Sequence, residues 1–138
     1  MSKHLAAYQH RIIDIVGRAE AVIGADTRPS SQALGKLRWD LARAMNEYQV
    51  FKHSRIFDPA IAAGGERGSA ASRMREACMA IGSEYRLYVA AWNATNILDN
   101  WDDYRAAALT MLARIRAHVD AEMEHLPALV TAPERKAA

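Results

Sequence analysis

The chain has 138 residues, enough for one domain with a substantial core and too few for two domains of ordinary size. Hydrophobic residues make up 51% and charged residues 25%, a globular composition that argues against a disordered chain. Lys and Arg (18) nearly balance Asp and Glu (16) and are interleaved with them, so no cationic stretch tracks a run of phosphates and nucleic acid is not an expected partner.

Segment one spans about Lys3 to Ile23, with Ser2 as a potential cap and an apolar stripe of Leu5, Tyr8, Ile12, Ile15, Ala19 and Val22. His10, three residues before Ile13, stands at the edge of that stripe. A break at Gly24 to Pro29 precedes segment two, about Ser31 to Ile56, capped by Ser30 or Ser31. Its stripe is Leu34, Leu37, Leu41, Met45 and Tyr48, with Ile56 further on; Lys52 follows Tyr48 by one turn on the inward side.

A longer break is expected from Asp58 to Gly68, and then segment three, about Ala70 to Asn96, capped by Ser69. Met74, Cys78, Ile81, Tyr85, Tyr88 and Trp92 form its stripe, on which Cys78 reads as an inert core thiol. Segment four starts near Asn100, which can cap it, and is expected to run to about Pro127. Tyr104, Ala108, Met111, Ile115, His118, Glu122, His125 and Leu129 alternate at four- and three-residue steps, the seam of a bundled helix.

Four amphipathic segments joined by short breaks predict an all-α, up-down-up-down four-helix bundle over residues 1–130, followed by a short polar tail, 131–138. The one cysteine excludes an internal disulfide and a cage of cysteines around zinc. No apolar run reaches membrane-spanning length and the N-terminal stretch lacks a signal-peptide core, so no membrane partner and a cytoplasmic location are expected.

His118 and Glu122 lie one turn apart on the segment-four seam. A carboxylate there needs a metal, a cation or a hydrogen bond opposite it. Three readings follow: a hydrogen-bonded His118–Glu122 pair near a bundle end, partly wet; a metal held by His118 and Glu122 with help from His10, His53, Glu84 or Glu47; or a cation of the protein's own, Lys52 or Arg55, facing Glu122. Tyr48, Tyr85, Tyr88, Trp92 and Trp39 make an aromatic interior, either core filling or the lining for a small planar ligand.

The stretch from Trp101 to Val130, with His118, Glu122, Glu124 and the Leu126-Pro127 exit, resembles the last helix of hemerythrin-like (HHE cation-binding) domains. YQVFKHSRIFDP and YQHRIIDIV are similar to the second and first helices of that family. The resemblance implies a bundle around a non-haem diiron centre, with His10, His118 and Glu122 as the residues that carry over. The second helix has Tyr48 and Lys52 where a His and a Glu are implied, and the third has Tyr85, Tyr88 and Trp92 where a His is implied.

The expected function is therefore a non-enzymatic binding or regulatory protein on a hemerythrin-like scaffold without the diiron site. The alternative is an oxygen-binding, nitric-oxide-sensing or redox protein with a reduced or mixed iron site. Expected partners are a second copy of the chain through outward Trp39, Phe51 and Val119, another protein, or a small ligand in the aromatic interior.

Overall fold

In the computed structural model the backbone is described for residues 2–137 and the side chains for residues 3–130; the expected polar tail, 131–138, lies outside the described side chains. The elements are α1 (Ser2–Gly24), α2 (Ser31–Lys52), a π-helical turn (His53–Phe57), α3 (Asp58–Ala63), α4 (Gly65–Asn93), a 3-10 turn (Leu98–Asn100) and α5 (Trp101–Ala137). Lys52, His53, Phe57 and Asp58 all keep helical dihedrals, so α2, the π turn and α3 form one continuous rod. The described residues thus make four long helices in an up-down arrangement.

Pro59 explains the π turn. In a regular helix its nitrogen would have to donate to the Arg55 carbonyl, which proline cannot do, and its ring would press on that carbonyl. Widening the turn relieves the clash, and Asp58 donates to the His53 carbonyl five residues back. The helix therefore survives its proline, and the break expected from Asp58 to Gly68 shrinks to Gly64. Gly64 (φ 73°, ψ −165°) and Gly65 (φ 72°) occupy backbone conformations that side chains disfavour, which lets α3 fold back on α4 within one residue.

Other boundaries also move. Ser30 caps α2, its Oγ accepting from Ala33 N at 3.1 Å, whereas Ser69 lies inside α4 and caps nothing. Asn96 does the capping expected of Asn100: its Oδ1 accepts from Leu98 N and Asp99 N, while the Asn100 amide donates back to the Asn96 carbonyl. Helix α5 runs through Pro127 because Leu126 and Leu129, on either side, are both buried in the core.

The core is one continuous cluster fed by every rod. On α1 it takes Leu5, Ile12, Ile15, Val16, Ala19 and Ile23, leaving Val22 half-buried. On α5 the buried line is Tyr104, Ala108, Met111, Leu112, Ile115, Val119, Glu122, Leu126 and Leu129. The expected seam holds at Tyr104, Ala108, Met111, Ile115, Glu122 and Leu129, but Val119 and Leu126 are buried at the steps expected of His118 and His125, and His125 is exposed. A straight helix of 3.6 residues per turn drifts by roughly 20° per heptad from a 3.5-residue repeat, and along α5 that drift brings Val119 and Leu126 toward the core beside Glu122 and Leu129.

Helix α1 packs against α2 and α5, and α4 against α5. Side-chain pairs mark antiparallel neighbours: Arg11 with Glu47 between α1 and α2, Arg38 with Asn93 between α2 and α4, and Glu84 with Arg114 between α4 and α5. Helices α2 and α4 meet closely at the π-turn end and leave a surface cleft of about 400 Å³ further along, between Met45, Asn46 and Gln49 on one side and Gly82, Arg86 and Val89 on the other.

Candidate functional site: a buried Lys–Glu pair with cysteine and histidine

All four rods contribute to one polar layer. Lys52, at the end of α2, and Glu122, on α5, are 1% and 3% exposed. Lys52 Nζ lies 2.9 Å from Oε1 and 3.0 Å from Oε2 of Glu122, so one ammonium bridges both carboxylate oxygens. The same nitrogen lies 3.1 Å from Cys78 Sγ on α4 and 4.0 Å from the centre of the Tyr48 ring, to which it adds a cation–π contact. The Tyr48 hydroxyl accepts from Gln9 Nε2 of α1 at 3.0 Å, which accounts for a buried glutamine on the apolar face of that helix. Burial and the neighbouring Glu122 charge push the Tyr48 hydroxyl far above its usual range, so it stays protonated.

His118 completes the layer from one turn before Glu122. Its Nε2 lies 3.2 Å from Glu122 Oε2, but off the line of a hydrogen bond, so this buried nitrogen has a charged neighbour and no hydrogen-bond partner. Burial works against the charged ring, yet the adjoining Cys78 and Glu122 side chains outweigh it and push His118 up to about 9. Burial likewise works against a charged Glu122; His118 and Lys52 overcome that and hold its carboxyl below its ordinary value. The site carries fixed charges of both signs in a place nearly shut off from water.

Ligand atoms of Cys78, His118 and Glu122 all lie within 4.8 Å of one another, a three-residue group able to hold one metal ion. The other sequence candidates stand elsewhere. His10 is exposed on α1, one position past the inward Gln9. His53 sits half-buried on the π turn with its ring edge-on to Phe57 at 5.3 Å; burial, then the Lys52 charge, lower its pKa. Glu84 is exposed and paired with Arg114, and Glu47 is paired with Arg11 and Arg43. Arg55 is exposed, so of the two basic side chains expected opposite Glu122 it is Lys52 that meets it.

Cys78 is the member that sequence reasoning missed. Its place on the stripe was legible, but Lys52, the group that makes its environment polar, lies 26 residues away. The aromatic residues form a separate layer. Tyr88, Trp92 and Trp101 surround Tyr104, with ring centres 6.4, 5.2 and 5.8 Å from it. Tyr85, Tyr88 and Tyr104 line an apolar cavity of about 30 Å³, too small for a planar organic ligand without rearrangement. Trp39, expected either in the aromatic interior or on the outer face, is 65% exposed and so takes the outer place, whereas Val119, expected outside, is buried; Phe51 is half-buried against Tyr8 at 4.9 Å.

The chain is an all-α bundle with an interior Cys/His/Glu cluster, and no helix among the described residues is long and apolar enough to cross a membrane. No protein-family model, curated protein or solved structure matches it.

Proposed function

We propose that the protein is a non-enzymatic binding or regulatory bundle on a hemerythrin-like scaffold, in which the Lys52 ammonium takes the electrostatic place of a metal pair. One observation carries this reading: Lys52 bridges both oxygens of the interior carboxylate from 2.9 and 3.0 Å, with both side chains almost fully buried. Two irons fit these residues poorly. The cluster offers one carboxylate, one imidazole and one thiol, too few donors and too little negative charge for a bridged pair, and an ammonium already stands among them. The sequence resemblance supports the scaffold, and the unmatched second and third helices support the loss of the iron site.

Elemental analysis after anaerobic incubation with ferrous iron tests the reading. The expected result is less than one iron per chain and unfolding unaffected by chelator; two irons per chain would sink it.

A second reading has its own support in the unpartnered His118 nitrogen beside Cys78 and Glu122. A single divalent ion of borderline softness, zinc or ferrous iron, suits a thiolate, an imidazole and a carboxylate. It would have to displace Lys52, because a metal and an ammonium repel at this distance. Metal binding should then be weak in the native chain and rise at least tenfold in Lys52→Met, read by zinc titration with a competing chelator. Equal binding in both proteins would remove this reading.

A further inference from the structure

Cys78 Sγ and Lys52 Nζ, 3.1 Å apart, are a nucleophilic sulfur and a nitrogen held in contact inside the bundle. The chain has no second cysteine, so an oxidised Cys78 cannot be resolved as an internal disulfide; the lysine nitrogen is the nucleophile in contact with it. We propose that Cys78 and Lys52 are a redox-dependent cross-linking site, joined by a sulfur–nitrogen bond when a small peroxide oxidises the thiol.

The step balances in two stages. The sulfur attacks one peroxide oxygen, the O–O bond breaks, and the departing hydroxide leaves as water with the thiol proton. Sulfur is oxidised by two electrons to a sulfenic acid and the peroxide is reduced. Lys52 then gives one proton to Glu122, 2.9 Å away, and its free amine attacks the sulfur. The S–O bond breaks, and the hydroxide leaves as a second water with a proton from the attacking nitrogen. The protein loses two hydrogen atoms, one peroxide is consumed and two waters form.

The surroundings favour this course. Sulfur and nitrogen are already in contact, so the flexible lysine stem needs only a small movement to bring them to bonding distance. Cys78 is fully buried, which shields a sulfenic acid from thiols too large to enter. The least closed side of the layer is at His118, whose side chain is 17% exposed; a water-sized cavity of about 10 Å³ lies against His118, Lys52 and Tyr48 but does not reach Cys78, so a peroxide enters only as this side opens. The unpartnered His118 nitrogen offers an entering peroxide a polar contact.

The link would remove the Lys52 charge, and once Glu122 has passed the transferred proton on to solvent its carboxylate would face the His118 ring alone. The charge state of the core layer would then report oxidation, which gives the regulatory reading of this site a chemical input. It rests on that reading only for its purpose: a mass measurement reads the bond, whereas iron analysis reads metal, so each can fail without the other.

The experiment treats the folded 138-residue chain with stoichiometric hydrogen peroxide, then measures intact mass and maps peptides under denaturing, non-reducing conditions. The expected result is a loss of two hydrogens, a linked pair of peptides carrying Lys52 and Cys78, no labelling of Cys78 by a thiol reagent, and reversal by dithiothreitol. Cys78→Ala should show none of these changes, and Lys52→Met should stop at added oxygen on Cys78. If Lys52→Met fails to fold, Lys52→Met/Glu122→Leu, which removes both buried charges, serves the same purpose. Gain of oxygen in the native chain without linked peptides, gain of one oxygen together with the link, or no change in mass would each overturn the proposal.

Discussion

At the level of single residues, the Lys52–Glu122 pair is the feature on which stability turns. Removing one partner strands the other charge in a nearly dry site, a loss of roughly 3–5 kcal/mol, while removing both leaves only a packing change. Lys52→Met should therefore cost about that much in urea unfolding, and Lys52→Met/Glu122→Leu should recover most of it. A double variant as unstable as the single one would mean that the pair is not what holds this layer together. The pH dependence follows from the two shifted groups. His118 is raised from 6.5 to about 9, so its contribution is complete below 6.5 and is lost as pH climbs to about 9. Glu122 is lowered, so its contribution is complete above its ordinary 4.5 and is lost as pH falls through its folded value. Stability should form a plateau between these limits, and His118→Gln should flatten the alkaline limb and also shrink the acid limb, because His118 is one of the two groups that hold Glu122 low. Sequence alone marked His118, Glu122 and Lys52 as inward polar residues, because each sits one turn from an apolar neighbour on its stripe. It did not reveal that Cys78 completes the layer, because a thiol on a stripe is compatible with an inert core.

For the helices and turns, the local chemistry was legible where one residue decides the outcome and obscure where packing competes with it. Ser30 has the side chain and position of a cap, and it acts as one. Ser30→Ala should cost about 1 kcal/mol, whereas Ser69→Ala, inside α4, should be neutral or slightly stabilising. Pro59 and Pro127 looked like stops, and neither is. A π turn accommodates the first, and buried Leu126 and Leu129 hold the helix through the second. The actual reversal is at Gly64, whose φ of 73° with ψ of −165° is a glycine conformation. Gly64→Ala should cost roughly 1–3 kcal/mol by thermal or chemical unfolding. A wild-type stability there would show that the α3–α4 turn takes another shape.

Across the molecule, the bundle divides its interior into a charged layer around Lys52 and an aromatic layer around Tyr104. Trp101 is 8% exposed beside Tyr104, while Trp39 stands on the outer face of α2. Variants keeping only one tryptophan should differ accordingly: Trp39 emission should be quenched by acrylamide nearly as in the unfolded chain, and Trp101 emission far less. Similar quenching would contradict this packing. The amino-acid sequence by itself determined that the chain is helical, that four amphipathic stripes must close on each other, and that a carboxylate on α5 must meet a compensating group. Those conclusions follow from periodicity and the cost of burying charge, which act within one helix at a time. Only the tertiary structure decided which group meets Glu122, that Cys78 and His118 stand beside it, and that His10, His53 and Glu84 do not. The reason is rotational: one residue of drift turns a helix face by roughly 100°, and that angle is fixed by how four helices pack rather than by the sequence of any one.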